Sequence, residues 1–429
     1  MKRSIALSSF VALIVLAAVP LRAASAALLP PKPDDSYFEK FNPKPAPQPD
    51  GLVLKKGDRL AIIGDSITEQ KMYSRYMEAY LAACVPELEV TVRQYGWGGE
   101  TAPGFLARMT NDCLRFNPTV ATTCYGMNDH GYGAYRQDIG DRYRRAQTTI
   151  VQSFKASGTR VVLGSPGCVS KKAEALNLNL CELRNLDIDI AGQEQVGFAD
   201  VFWPMFTAGR AAQLRYATNY AIAGGDGVHP GGAGHLVMAY AFLRGLGLDG
   251  NIGTFTVDLG SGTATASAGH EVVSAKAGEV QIKSARYPFS ATGAANSDAS
   301  VRSGMTLVPF NQTLNRLLLV AKNGAAQKYK VTWGAASKSY SAEQLAAGVN
   351  LAEDFADNPF SSAFAKVDAA VAAKQAYETH QIKDIFHGAE FKLEPDTMLK
   401  LTERVRAPLA AAVKASVVPV THTIRIEAE

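Results

Sequence analysis

Ser66, Asp226 and His229 are the residues of this chain whose types and settings suit nucleophilic chemistry. Ser66 closes Ile62-Ile63-Gly64-Asp65-Ser66, an apolar run that stops at a glycine and then presents a hydroxyl. A neutral serine is a weak nucleophile and needs a base within hydrogen-bond reach. His229 can take that proton near neutral pH. Asp226, in Asp226-Gly227-Val228-His229-Pro230, can hold the ring and balance the charge it gains. Taken alone, Ser66 or Thr68 would serve as well to cap a following helix; the compact acid–base pair downstream turns the reading toward chemistry. Attack on an acyl carbon also needs donors already aimed at the developing oxyanion. The N–H groups of Ser66 and of Gly99, in Tyr95-Gly96-Trp97-Gly98-Gly99-Glu100-Thr101, are candidates, with the side-chain amide of Asn128, in Gly126-Met127-Asn128-Asp129. Asp65, Trp97, Tyr125 and His130 adjoin these segments and are candidate substrate-binding residues. Trp97, Tyr125 and Tyr132 can stack on a sugar ring or pack in a core. His130 can line a pocket or face water, and Asp129 reads as structural in its turn.

These segments need a scaffold that gathers them. From 51 to 248, apolar strand patterns at 59–63, 89–95, 119–124, 160–165 and 196–202 alternate with helical patterns at 73–84, 103–114, 138–157, 178–193 and 233–246. Strands separated by helices predict an α/β fold with a five-stranded parallel sheet covered on both faces. All four chemical segments then follow the carboxyl ends of strands, the rim where open α/β sheets bind ligands. After Gly250 the pattern changes to strands at 253–258, 270–275, 279–286, 315–322 and 326–333, followed by helices and a last strand near 423–426. Ser341-Ala342-Glu343-Gln344 is a capping box. Asn358-Pro359 is expected to open a long helix, and Pro408 to break or kink a second one that starts near Pro395. The predicted organisation is a signal peptide at 1–26, a Pro-rich leader at 27–50, an α/β domain at 51–248 and an α+β accessory domain at 249–429.

The four segments together resemble the GDSL/SGNH hydrolase family. Its blocks are matched by Gly64-Asp65-Ser66, by Gly96, Gly99 and Thr101, by Gly126, Asn128 and Asp129, and by Asp226, His229 and Pro230, in the family's order. The resemblance implies a flavodoxin-like three-layer sandwich and ester hydrolysis without metal or cofactor. The chain departs from the family pattern at Gln94-Tyr95, where asparagine is frequent, and at Thr68-Glu69-Gln70, where glycine is frequent; neither departure removes a catalytic group. The absence of Gly-x-Ser-x-Gly argues against the α/β-hydrolase fold. The histidines show no His-Glu-x-x-His spacing for zinc.

Lys2 and Arg3, the apolar run Ala6 to Val19 and Ala24-Ser25-Ala26 read as an export signal. Its removal takes three basic and no acidic residues, so the net charge falls from +4 to +1. That near-neutral balance gives no electrostatic case for nucleic acid, and no later segment is long and apolar enough to span a membrane. Five cysteines, an odd number, leave at least one thiol unpaired. Cys168–Cys181 is the first pairing expected and Cys84–Cys113 the second, with Cys124 reduced. The expected activity is that of an exported serine esterase removing short acyl groups, acetyl in particular, from a carbohydrate. The alternatives are a longer-chain lipase or thioesterase and a non-catalytic glycan-binding envelope protein on the same scaffold.

Overall fold

A computed structural model describes residues 31–170, 172–276 and 278–429. The expected signal peptide and the first four residues of the leader lie outside them. Strands β1 (Arg59–Gly64), β2 (Thr91–Gln94), β3 (Val120–Cys124), β4 (Arg160–Gly164) and β5 (Gly197–Ala199) form one parallel sheet in the order β2-β1-β3-β4-β5. Alternate residues of a strand face opposite ways. Leu60 and Ile62 of β1 enter one core, with Tyr73 and Phe242, while Ala61 and Ile63 enter the other, with Phe105 and Tyr143. The covering helices are α1 (Ser66–Glu69), α2 (Tyr73–Ala83), α3 (Ala102–Asp112), α4 (Gln137–Ala156), α5 (Glu174–Glu194), α6 (Phe202–Arg215) and α7 (Gly232–Gly245). This is a flavodoxin-like three-layer sandwich. The chain leaves β1 toward β2 and crosses back to β3, so a crevice opens beyond the carboxyl ends of β1 and β3.

The predicted strand 196–202 is shorter than its apolar run suggests. It ends at Ala199, and Phe202 begins α6, which the sequence pattern did not indicate. The Ser165 hydroxyl accepts the N–H groups of Val201 and Phe202 at 3.0 Å each and so starts the helix. Pro204 falls in its first turn, where the missing N–H costs nothing. The leader is packed rather than free. Phe38 and Phe41 are buried, with ring centroids 5.2 and 4.7 Å from Phe206, and the Lys44 N–H donates to Asn185 on α5.

Beyond residue 250 two further sheets form. One is mixed, in the order Val349–Asn350, Arg316–Lys322, Asn251–Asp258, Thr263–Ala266. The other is antiparallel, in the order Ala336–Ser341, Lys328–Trp333, Val420–Ala428, Glu279–Ser284, His270–Lys276. Thr263–Ala266 and Ala336–Ser341 were not expected; both are short edge strands made mostly of small and polar residues, with few large apolar side chains to betray them. The capping box forms as predicted, with Ser341 and Gln344 bonded reciprocally. The long helix starts at Ser361 instead of Pro359, because the Asn358 side chain accepts the Phe360 N–H and holds a turn ahead of it. It runs to His380 and passes into a π-helical turn, Gln381–Ile385. The helix Pro395–Ser416 is not broken at Pro408 but continues through it. Arg404 and Pro408 lie on its exposed face, where water can serve the carbonyl that proline leaves unpaired. No disulfide forms either: all five cysteines, Cys168 and Cys181 included, are buried free thiols packed among apolar side chains.

These later helices are joined to β2 by a buried ionic cluster. Lys374 bonds Glu78 at 3.1 Å, Glu378 at 2.7 Å and the Val92 carbonyl at 2.8 Å. Arg406 also reaches Glu378, and Arg93 of β2 bonds Glu403. In the antiparallel sheet a buried chain of hydrogen bonds has one direction throughout. Trp333 Nε1–H donates to His422 Nδ1, so His422 Nε2–H donates to Ser284. Ser284 then donates to His270 Nδ1, and His270 Nε2–H to the Ile252 carbonyl.

Candidate active site

The turn after β1 requires glycine at 64, where a Cβ would stand 2.1 Å from Thr68 Oγ1 and 2.8 Å from the Cys124 carbonyl oxygen. Asp65 caps α1 by accepting the Ile67 N–H at 2.9 Å, and Ser66 becomes the first helical residue. Its N–H is one of those a helix leaves unused at its start. Ser66 Oγ lies 2.8 Å from His229 Nε2, and His229 Nδ1 lies 2.7 Å from Asp226 Oδ2. The other Asp226 oxygen accepts the N–H groups of Val228 and His229, each at 2.9 Å. Burial raises the Asp226 pKa, but those two N–H groups and the imidazole outweigh it and hold the carboxyl at about 2. An ionised carboxylate only accepts, so His229 carries its proton on Nδ1 and turns a lone pair toward Ser66. The loop bearing this pair follows α6 rather than a strand, as a correction to the predicted placement. It closes on itself so tightly that a Cβ at Gly224 would meet the His229 carbonyl oxygen at 1.8 Å.

Gly99 sits in the left-handed region, φ +72°, at the tip of the loop between β2 and α3. Asn128 follows β3 and donates its amide to the Glu100 carbonyl at 2.9 Å, with Asp65 Oδ2 at 3.5 Å. Asp129 binds the two loops together through the Ala102 and Gly126 N–H groups, both at 3.0 Å. Three of the expected substrate-binding residues lie beneath the surface. Asp65 is buried, which lifts its pKa to about 7 against the lowering by Ile67 N–H; the carboxylates of Asp129 and Glu100 add to the rise. Tyr125 is fully buried and donates its hydroxyl to Glu100 at 2.7 Å. His130 is also fully buried, its Nδ1 on the Met127 carbonyl. They build the floor, because each follows a strand end already covered by helices. Trp97 is half-buried, flanked by Arg108 at 5.0 Å and by His387 and Lys383 of the C-terminal region at 4.8 and 5.4 Å. Tyr132 is the exposed aromatic here, its hydroxyl 3.3 Å from Asn128 Oδ1.

Sequence reasoning missed the buried pair of Glu100 and Arg108, joined by two 2.6 Å hydrogen bonds under the glycine-rich loop. It also missed every C-terminal neighbour of Trp97. Local spacing links neither set to the chemistry. A cavity of about 830 Å³ lies elsewhere, between the leader, Trp203 of α6 and Tyr240 of α7. Among the described residues no cluster of histidine, cysteine and carboxylate side chains is placed to hold a metal ion.

An imidazole supported by a carboxylate and bonded to a serine, with N–H donors beside it, can carry out acyl transfer. Residues 62–237 match the GDSL-like lipase/acylhydrolase family, and that span holds Ser66, Gly99, Asn128, Asp226 and His229. An acetylxylan esterase of Geobacillus stearothermophilus is 25% identical over 224 residues, 46% of this chain and 98% of that protein. A solved structure of a gut microbial diltiazem-metabolizing enzyme, 20% identical, superposes with a TM-score of 0.71 over 88% of this chain and 98% of its own. That likeness in fold extends well past the family segment into the C-terminal region. The α/β part of this chain is similar to the GDSL-like lipase/acylhydrolase family over residues 62–237, and the protein is a carboxylic ester hydrolase.

Proposed function

We propose that the protein is an exported serine esterase that removes acetyl groups from a carbohydrate through an acyl-enzyme intermediate. The continuous hydrogen-bonded line Ser66, His229, Asp226, at 2.8 and 2.7 Å, carries this reading. Ser66 Oγ attacks the ester carbonyl carbon as its proton passes to His229 Nε2, and the ionised Asp226 stabilises the imidazolium. The oxyanion is held by the N–H groups of Ser66 and Gly99 and by the Asn128 amide, which exchanges its long bond to Asp65 for the developing charge. His229 then gives its proton to the leaving alcohol, and water, activated by the same imidazole, releases the acid. The named activity of the acetylxylan esterase relative supports an acetylated glycan as substrate. A short acyl group is supported by the exposed Gly98, Gly99 and Gly225 around the serine and by the separation of the large apolar cavity from these loops. Export rests on the basic start and apolar run of residues 1–26.

Acetate release from acetylated xylan and related glycans tests the substrate class, alongside hydrolysis of acetyl and octanoyl p-nitrophenyl esters. A steep preference for the acetyl ester with acetate released from a glycan is expected. Equal or faster octanoyl hydrolysis with no acetate from any glycan would replace this reading with the lipase one.

A further inference from the structure

The glycine-rich loop Gly96–Thr101 presents the Gly99 N–H; its Glu100 end is tied to the α/β core by Arg108, Tyr125 and Asn128, whereas its Trp97 end has few hydrogen bonds to that core. The Trp97 N–H donates to the Gly64 carbonyl, and the Glu100 N–H closes a turn on Trp97. The loop rests on α1, the helix that carries Ser66. A Cβ at Gly96 would fall 2.2 Å from the Glu69 backbone nitrogen, and one at Gly98 would fall 2.9 Å from Glu69 Oε2. The Glu69 carboxylate is therefore wedged beneath the loop.

What holds that wedge comes from the far end of the chain. Lys383 Nζ bonds Glu69 Oε1 at 2.6 Å and stands 5.4 Å from the centre of the Trp97 ring. His387 meets the same ring edge-on at 4.8 Å and bonds Asp112 of α3 at 2.9 Å through Nε2. Gln94, at the end of β2, bonds Thr379 at 2.7 Å through its amide, and its carbonyl accepts the Gly96 N–H. One stretch, 379–387, thus touches the strand end before the loop, the tryptophan within it, the helix after it and the glutamate under it. At the centre of this stretch lies the π-helical turn Gln381–Ile385, closed by the Phe386 N–H on the Gln381 carbonyl at 3.0 Å. A π turn admits an extra residue and re-aims the side chains around it, and such turns concentrate at functional sites.

We propose that Lys383 and His387 are positioning residues for ester hydrolysis, acting through Glu69 and Trp97 to fix the Gly99 N–H relative to Ser66. On this basis the C-terminal region completes the catalytic unit. The inference rests on the reading above in which Ser66 is the nucleophile and Gly99 an oxyanion donor. A loop displaced by about 1 Å can cost up to about 10²-fold in rate while the ground-state complex still forms.

The test uses the full chain and p-nitrophenyl acetate, with Lys383→Met, Lys383→Arg, His387→Ala and Glu69→Gln variants and a melting curve for each. Lys383→Met and His387→Ala are expected to lower kcat by about 10- to 100-fold with a much smaller change in KM, and Lys383→Arg to restore most of the loss. Glu69→Gln should lower kcat similarly, and the Lys383→Met/Glu69→Gln double variant should be no worse than the poorer single one, as expected for one linked device. A folded Lys383→Met variant with kcat within about twofold of the parent overturns the proposal, as does a loss confined to KM. If Lys383→Met does not fold, an unchanged kcat in Glu69→Gln overturns it instead. A parent without esterase activity, or an active Ser66→Ala variant, would defeat the underlying catalytic reading, an outcome distinct from any of these.

Discussion

At the scale of single residues, the proposed mechanism divides the work between a nucleophile, a base and an electrostatic cradle. Ser66→Ala and His229→Ala should each abolish measurable turnover with the melting temperature little changed, since the two groups act as a unit. Residual steady-state activity in a purified Ser66→Ala protein would remove Ser66 as the nucleophile. Asn128→Ala should reduce kcat by about 10²- to 10³-fold, the usual effect of deleting one oxyanion donor, with a smaller effect on KM. Measuring both constants separates this role from ground-state binding, which would move KM alone. Asp226 has its carboxyl held at about 2, so it stays charged through the range in which most esterases are assayed. An acid-side loss in a pH profile of kcat/KM that sets in well above pH 2 should therefore not come from protonation of Asp226.

At the scale of elements, two features have measurable consequences. His422 sits inside the one-directional chain from Trp333 to Ile252, and burial, with His270 adding, lowers its pKa from 6.5 to about 3. A histidine whose folded pKa is depressed contributes stability that is full above its unfolded value and is lost as pH falls toward the folded one. Between about pH 7 and about pH 4, the unfolded chain takes a proton at this position that the folded chain refuses. His422→Gln, which can still accept from Trp333, should therefore lose less melting temperature over that interval than the parent. An equal or larger loss in the variant would show that this chain is not acid-sensitive. The uninterrupted helix through Pro408 gives the second case. Proline in a helix interior is about 3 kcal/mol less favourable than alanine, and part of this is returned by its stiffening of the unfolded chain. Pro408→Ala should therefore stabilise the protein by about 1–2 kcal/mol in chemical denaturation, and a destabilised variant would indicate that the ring packs usefully.

At the scale of the whole molecule, the α/β sheet and the C-terminal helices share one buried ionic cluster. Lys374 is 1% exposed, and Glu78 and Glu378 are 5% and 0% exposed. Burial pushes Glu78 upward, opposed by Lys374, whereas around Glu378 the charges of Lys374, Arg406 and Arg93 outweigh burial and lower its pKa. Removing one partner from such a cluster leaves buried charge without compensation, a loss of about 3–5 kcal/mol. Lys374→Met should accordingly destabilise the entire chain in a single transition, read by denaturant unfolding. Selective unfolding of the C-terminal helices, with the α/β part intact at the parental midpoint, would show that the cluster does not couple them. The likeness in fold to a solved structure over 88% of the chain fits a molecule whose two parts are built together.

The sequence by itself determined what depends on local pattern. Short apolar runs and helical spacing placed β1 to β5 and most helices of the sandwich within a few residues. The four short blocks named the residues that the fold brings to one rim. Those blocks are legible because turn geometry and hydrogen-bond chemistry restrict residue type at each position, as at Gly64 and Gly96. The tertiary structure alone decided what depends on contacts between distant segments. It buried Asp65, Tyr125 and His130 beneath the surface, because a residue's exposure is set by what is packed over it. It inserted α6 ahead of the His229 loop through the Ser165 hydroxyl just beyond β4, carried a helix through Pro408 on a solvent-facing side, and left the cysteines as free thiols. It also brought Lys383 and His387 against Trp97 across more than half the chain. No periodicity or motif records such a contact, since the free energy that selects it comes from packing and charge pairing that exist only once the chain has folded.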